Sequence, residues 1–365
     1  MTLLTLRELQ ARQGAVIDAA EAGAVPQTFG REAEAIAAVH QDQGVVLCDR
    51  SHWGCLDVLD RDRLRFLHNQ STNNFQTLQP GQGCETVFVT ATARTLDLAT
   101  AYVLADRVRL LLSPNRRQQI HDWLDRYIFP FDKVKLVDCS GEVGIFSLLG
   151  SHCGAWLQQL GIPDLPSAPH SHLTTEFQGS TVHLAQGSGL ATEGYTLLVP
   201  GEQAAAAWHS LTETPGTPAL PLGRQGWEQL RIQQGRPQPD RELTEDYNPL
   251  EAGLWQTVSF DKGCYIGQET IARLNTYKGV KQRLWGLRFQ GQPEPGTLLT
   301  VADQRVGKVT SVVPTAEGSL GLGYIRTKAG GLGLQVQAGE VMGEVVPLAY
   351  VSHPALDPDS AVEST

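Results

Sequence analysis

The chain has no CxxC pair, no HExxH, no GxSxG, no GxxxxGK[ST] phosphate loop and no GxGxxG at a strand-to-helix turn. Zinc ribbons, zinc proteases, serine hydrolases of the elbow type and P-loop or dinucleotide-binding enzymes are therefore not indicated. No apolar run approaches the roughly 20 residues that a membrane span requires. The first 25 residues mix Leu3, Leu4 and Leu6 with Arg7, Glu8, Asp18 and Glu21, so neither a signal nor a transit peptide is expected. Positive charge is also short: 29 Lys and Arg against 39 Asp and Glu give −10 over 365 residues. A broad basic face for nucleic acid or anionic lipid is not expected, although a local basic pocket is compatible with that sum. The six cysteines are scattered, which argues against a disulfide framework and for a reducing, cytoplasmic setting. Histidine pairs such as His170 with His172 lack a completing carboxylate or thiol, so no metal site is expected.

What is present is an alternation of short strands and helices in a chain long enough for two or three domains. Helical periodicity is expected over 5–20 and 31–41, with short strands from Val45, a helix over 62–68, and strands at 87–89, 98–104 and 107–112. Ser113 and Pro114 have the form of a helix cap and first turn. Strands at 143–149, 181–184 and 195–199 interleave with helices at 153–160 and 204–211, the rhythm of a split ferredoxin-like unit. After Gly279 helical periodicity gives way to glycine-punctuated strands, as in a small barrel. The expected fold class is α+β. The organisation is 1–140 as an α/β domain that need not be continuous, 141–278 as a ferredoxin-like domain, 279–353 as a C-terminal β-barrel and 354–365 as a flexible tail.

The chemistry is concentrated in Lys262-Gly263-Cys264-Tyr265-Ile266-Gly267-Gln268-Glu269, with Arg273 beyond it. Two glycines let the backbone turn tightly around a thiol and a phenol. Lys262 and Arg273 can lower a thiol pKa or pair with a carboxylate, and Gln268 and Glu269 supply hydrogen bonds. The plainer reading makes Gly263 and Gly267 simple turns and Cys264 a small buried hydrophobe.

KGCYIGQE resembles the signature of the YgfZ-type folate-binding proteins, which share their fold with the aminomethyltransferase, or T-protein, of the glycine cleavage system. Further stretches are similar to that wider family: DRSHWG (49–54) to DVSHMG, FLHNQSTNNF (66–75) to FLQ-TND, PLEAGL (249–254) to its P-E-L region and RLWGLRF (283–289) to its barrel entry. The resemblance implies a three-domain fold around a central channel that holds tetrahydrofolate or another reduced folate. For such a ligand, Tyr265 or Trp255 could stack on the pterin and Lys262 or Arg273 could meet the glutamate tail. Asn73 and Asp97 are candidates for the pterin or one-carbon end, or else ordinary turn and strand-edge residues. Arg231 and Glu251 are further candidates for contact with the ligand, Glu251 alternatively orienting the motif loop. Cys264 and Asp97 are the candidate catalytic groups.

Two departures from the T-protein pattern bear on activity. Its GG-x-x-DD segment is reduced to Arg94-Thr95-Leu96-Asp97-Leu98, and Gln233 replaces the carboxylate of its LRLE stretch. The resemblance therefore implies a folate-binding accessory protein for iron–sulfur cluster assembly or repair, partnered by assembly proteins or client enzymes. A tetrahydrofolate-dependent aminomethyl or other one-carbon transferase is the alternative, and a tRNA-modification factor a further one.

Overall fold

A computed structural model describes residues 3–18, 24–213 and 215–353; the expected tail, 354–365, lies outside them. Three sheets form the framework. The first has five antiparallel strands in the order Gly83–Val89, Thr95–Val103, Arg107–Leu112, Gly54–Leu59 and Lys135–Asp138. Its second strand is buried along all nine residues, so both faces are covered and the polar side chains it carries are removed from bulk water. Helix Arg117–Asp125 seats Ile120 and Leu124 against Leu110 and Leu112, each such side chain contributing about 1.5–3 kcal/mol by burial.

The second sheet runs His172–Phe177, Ser180–Gln186, Gly194–Pro200, Val143–Leu149, Val46–Asp49 and Leu220–Leu222. Val46–Asp49 pairs antiparallel with Val143–Leu149 and parallel with Leu220–Leu222. This sheet thus draws strands from both sides of residue 141. Helix Arg224–Gln234 buries Trp227 and Leu230 beside it and ends at Gly235, whose φ of 88° is accessible to glycine without strain. The third sheet is a closed barrel of six strands between Gln282 and Val346, where the glycine-punctuated pattern placed one. Among the described residues no helix is long and apolar enough to cross a membrane.

Several local expectations are corrected. The helix expected over 5–20 spans Leu4–Arg12, and a short strand, Val16–Ile17, follows it. The helix expected to start at Ser113-Pro114 begins at Arg117, and its N-cap residue Arg116 makes no side-chain cap bond. Ser113 is drawn away by a buried carboxylate: its backbone N–H donates to Asp97 Oδ2 at 3.0 Å. Two short strands, His172–Phe177 and Leu220–Leu222, also fall in segments read as loops or left unassigned.

Candidate functional site

The motif loop is clamped by backbone contacts to the chain around residues 68–74. Ser259 N donates to Thr72 O at 3.0 Å and Ile266 N to Asn69 O at 3.1 Å. Between them the Lys262 ammonium enters a nest of carbonyls, donating to His68 O at 2.5 Å, Ser71 O at 2.7 Å and Asn73 O at 2.6 Å. Burial pushes this amine down, to about 7, whereas three carbonyl acceptors favour its charged form. Gly267 then takes φ 81° and approaches so closely that an added Cβ would lie 2.9 Å from Thr90 O. Only glycine fits that contact without strain. Helix Gln268–Thr276 begins immediately after it.

This anchoring leaves Gly263 and Cys264 outward. Of the six cysteines five are buried and Cys264 is exposed, on the rim of an open depression of about 450 Å³ that it shares with His68, Asn69 and Gln76. The His68 ring pairs through Nδ1 with Asn74 Oδ1 at 3.1 Å. Burial and the Lys262 charge hold its pKa below the ordinary value, so the neutral ring is favoured.

A second polar centre lies where the two large sheets, helix Arg224–Gln234 and the segment after the barrel meet. Asp97 is fully buried, with Oδ1 lacking any partner; burial lifts its carboxyl to about 6, against the lowering hydrogen bonds of Ser113. Arg50 and Arg236 are 2% and 1% exposed. The Arg50 guanidinium lies 4.6 Å from the Trp53 ring centre and 5.0 Å from that of Trp227; Arg236 lies 5.0 Å from Trp53 and 5.5 Å from Tyr350. Glu85 accepts the Tyr350 hydroxyl and approaches Arg236 to 4.0 Å. A single hairpin links the two centres: its turn, at Thr90 and Ala93, receives Gly267, and its strands carry Glu85 and Asp97.

Several residues expected to meet a ligand are otherwise engaged. Lys262 is not a free cation beside the thiol, because its charge is spent on carbonyls. Tyr265 is buried beneath that ammonium, 4.6 Å from its ring centre, in a cluster with Ala93, Leu250 and Ile271, and Trp255 tilts against Phe260. Arg273 pairs with Glu269 at 2.7 Å on the surface. Arg231 is sealed between Glu228 and Glu242 at 2.5 and 3.0 Å. Asn73 uses its amide as a turn former, donating to Glu85 O at 2.7 Å and accepting Asn74 N at 2.8 Å. Glu251 is buried and raised by desolvation, and it accepts Asn248 N at 3.2 Å. Gly263 and Gln268 flank the exposed thiol as loop and helix start. Of the candidates, Cys264 and Asp97 retain unspent chemistry.

Arg50, Trp53, Trp227, Arg236 and Glu85 had no individual role from the sequence. A signal existed for two: Arg50 and Trp53 stand where the resembled DVSHMG stretch has Val and Met. This centre brings together two guanidiniums packed on aromatic rings and a carboxylate oxygen without a partner.

Known proteins agree with this architecture. A chloroplastic "putative transferase" of Arabidopsis thaliana is 43% identical over 336 residues, spanning 90% of this chain and 77% of that protein. An aminomethyltransferase of Synechococcus elongatus is 28% identical over 319 residues, 84% of each chain. The crystal structure of glycine cleavage system aminomethyltransferase T from Bartonella henselae superposes with a TM-score of 0.81 over 96% of this chain and 99% of that one, at 20% identity, a likeness of fold. Residues 6–262 match the GCVT N-terminal domain family, and the chain belongs to that family.

Proposed function

We propose that this protein is a YgfZ-type folate-binding protein that receives a reduced folate at the Asp97–Arg236 centre and uses Cys264 to support iron–sulfur cluster assembly or repair. The observation that carries this reading is the exposure of Cys264 alone among six cysteines, on a loop fixed by Lys262 and Gly267. A thiol held out on a rigid rim can meet a partner's cluster or disulfide, whereas buried thiols cannot. One exposed cysteine cannot hold a cluster alone, so the cluster is cargo shared with a partner or repaired on a client. A bound tetrahydrofolate would supply one-carbon carrier chemistry. The chain's own residues would orient it: Arg50 and Arg236 through their N–H groups, Asp97 by accepting or holding a proton at Oδ1.

A tetrahydrofolate-dependent transferase is the second reading. It is favoured by the names of the relatives and by Asp97, whose raised pKa suits a proton-transfer group. Against efficient aminomethyl transfer stands Gln233, an amide where a carboxylate would accept two N–H donors. One experiment separates the readings. Cells lacking the protein are complemented with the intact chain, Cys264→Ser or Asp97→Asn, and cluster-enzyme activities are measured alongside ammonia release from an aminomethyl-lipoyl carrier. Loss of cluster-enzyme activity with Cys264→Ser, without turnover by the intact chain, supports the accessory role; turnover abolished by Asp97→Asn supports the transferase.

A further inference from the structure

We propose that Arg50 and Arg236 form a buried clamp for a single carboxylate of a ligand. The proposal rests on the folate reading of the central site and deepens it by naming the group recognised there.

The two guanidiniums are packed over aromatic rings and keep N–H groups without acceptors. Trp53 lies 4.6 Å from Arg50 and 5.0 Å from Arg236, and Trp227 and Tyr350 cover further faces. The N–H groups of a guanidinium that remain without acceptors are the ones that take a carboxylate by its oxygens. Arg50 donates Nη2 to Thr196 Oγ1 at 3.0 Å, while its Nε is buried without a partner. Among the described residues it makes no ion pair. Arg236 donates Nε to Gly189 O at 2.8 Å and Nη1 to Pro237 O at 3.5 Å, and its Nη2 is likewise buried without a hydrogen bond, its ion-pair partner Glu85 standing 4.0 Å away. A buried donor left unpaired is costly, and a charged one more so. Two such donors from separate segments, meeting over one tryptophan, mark a place where an acceptor belongs.

The surrounding backbone is shaped to this pair. Gly189 has φ 87°, and an added Cβ would lie 2.7 Å from Arg50 Nη1. The same glycine supplies the carbonyl that orients Arg236. The charge sum ranks the ligands: Asp97 and Glu85 flank the arginines and balance them, so a phosphate dianion would leave twice the excess negative charge that a monoanionic carboxylate leaves. Such a group occurs on the glutamyl tail of a folate and on free carboxylic acids.

Calorimetry and thermal shift on the full chain distinguish these sources. The anaerobic probes are tetrahydrofolate, 6-methyltetrahydropterin (ring without tail), p-aminobenzoylglutamate (tail without ring) and inorganic phosphate. The variants are Arg50→Gln, Arg50→Lys and Arg236→Gln. Tetrahydrofolate is expected to bind the intact chain at least about tenfold tighter than the ring fragment, the margin of one charged hydrogen-bonded contact. Each Gln variant is expected to lose that margin and the binding of the tail fragment while keeping the affinity for the ring, which also shows that it is folded. Arg50→Lys is expected to recover only part. Variants that bind tetrahydrofolate as the intact chain does, or phosphate competing as well as the tail fragment, overturn the clamp and leave the folate reading standing. Arginine-dependent binding of the tail fragment, with no binding of tetrahydrofolate or the ring, keeps the clamp and overturns the folate reading. No binding of any probe overturns both.

Discussion

Ser113 donates its backbone N–H to Oδ2 of Asp97 at 3.0 Å, and the other oxygen of that carboxylate has no partner. The strand that carries Asp97 is buried on both faces, so hydrogen bonding to Ser113 does not offset the loss of water. Its pKa accordingly rises from 3.8 to about 6. The native chain therefore binds more protons than the unfolded chain between those values. The contribution of Asp97 to stability is fully present below about pH 4 and is lost as pH rises through 6. Asp97→Asn should remove this slope and stabilise the protein at neutral pH relative to acid by roughly 2–3 kcal/mol. Denaturant midpoints of both proteins at pH 4.5 and 7.5 test it; parallel shifts would mean that Asp97 is solvated.

Lys262→Met should cost about 3 kcal/mol, because three carbonyls that share one ammonium would lose their donor together. The loop should loosen with it. Proteolytic cleavage near Cys264 should accelerate in the variant, and an unchanged melting temperature would show that water replaces the amine.

Maleimide should label one thiol per native chain, at Cys264, and the remaining five only on unfolding. Cys264→Ser should abolish native labelling and change stability by less than about 0.5 kcal/mol, as exposed substitutions do. Native labelling that persists in this variant would locate a second accessible thiol.

The fold was legible where periodicity and punctuation agree. Strands at Arg107–Leu112 and Val143–Leu149 and the glycine-rich barrel follow directly from apolar runs between turn residues. The sheet partners were not legible, since the pairing of Val46–Asp49 with a strand 97 residues on depends on tertiary packing that no local pattern encodes. At the site, Cys264 stood out because glycine and lysine surround it. The direction of Lys262 did not, because its acceptors are backbone carbonyls, which look alike in every sequence. Arg50 and Arg236 escaped for a related reason: an arginine buried among tryptophans reads as an ordinary surface charge until the fold brings Trp53, Trp227 and Tyr350 around it.

Gly267→Ala should destabilise by roughly 1–3 kcal/mol, combining a left-handed backbone with a Cβ placed 2.9 Å from Thr90 O and from Val89. Because this contact joins the motif to the hairpin bearing Asp97, hydrogen exchange should quicken at both Ile266 and Thr90. Exchange altered on the motif side only would separate the two centres.

Arg231 separates a structural role from a ligand role most directly. Its guanidinium donates to both oxygens of Glu228, to Glu242 at 3.0 Å, to Arg236 O at 3.2 Å and to Ser311 Oγ at 3.0 Å. Glu242 in turn accepts the Thr310 and Ser311 hydroxyls, and its carbonyl accepts the Tyr324 hydroxyl. This network fastens helix Arg224–Gln234 to the barrel. Arg231→Met strands the buried Glu242 carboxylate and should cost about 3–5 kcal/mol. Glu242→Gln should cost less, and the double variant less than the sum, because the two changes remove one shared interaction. The measurement is a double-mutant cycle in urea with 6-methyltetrahydropterin affinity recorded for each folded variant. A ligand-contacting Arg231 would instead leave the unliganded stability nearly unchanged and weaken the pterin, and additive losses would likewise refute the network.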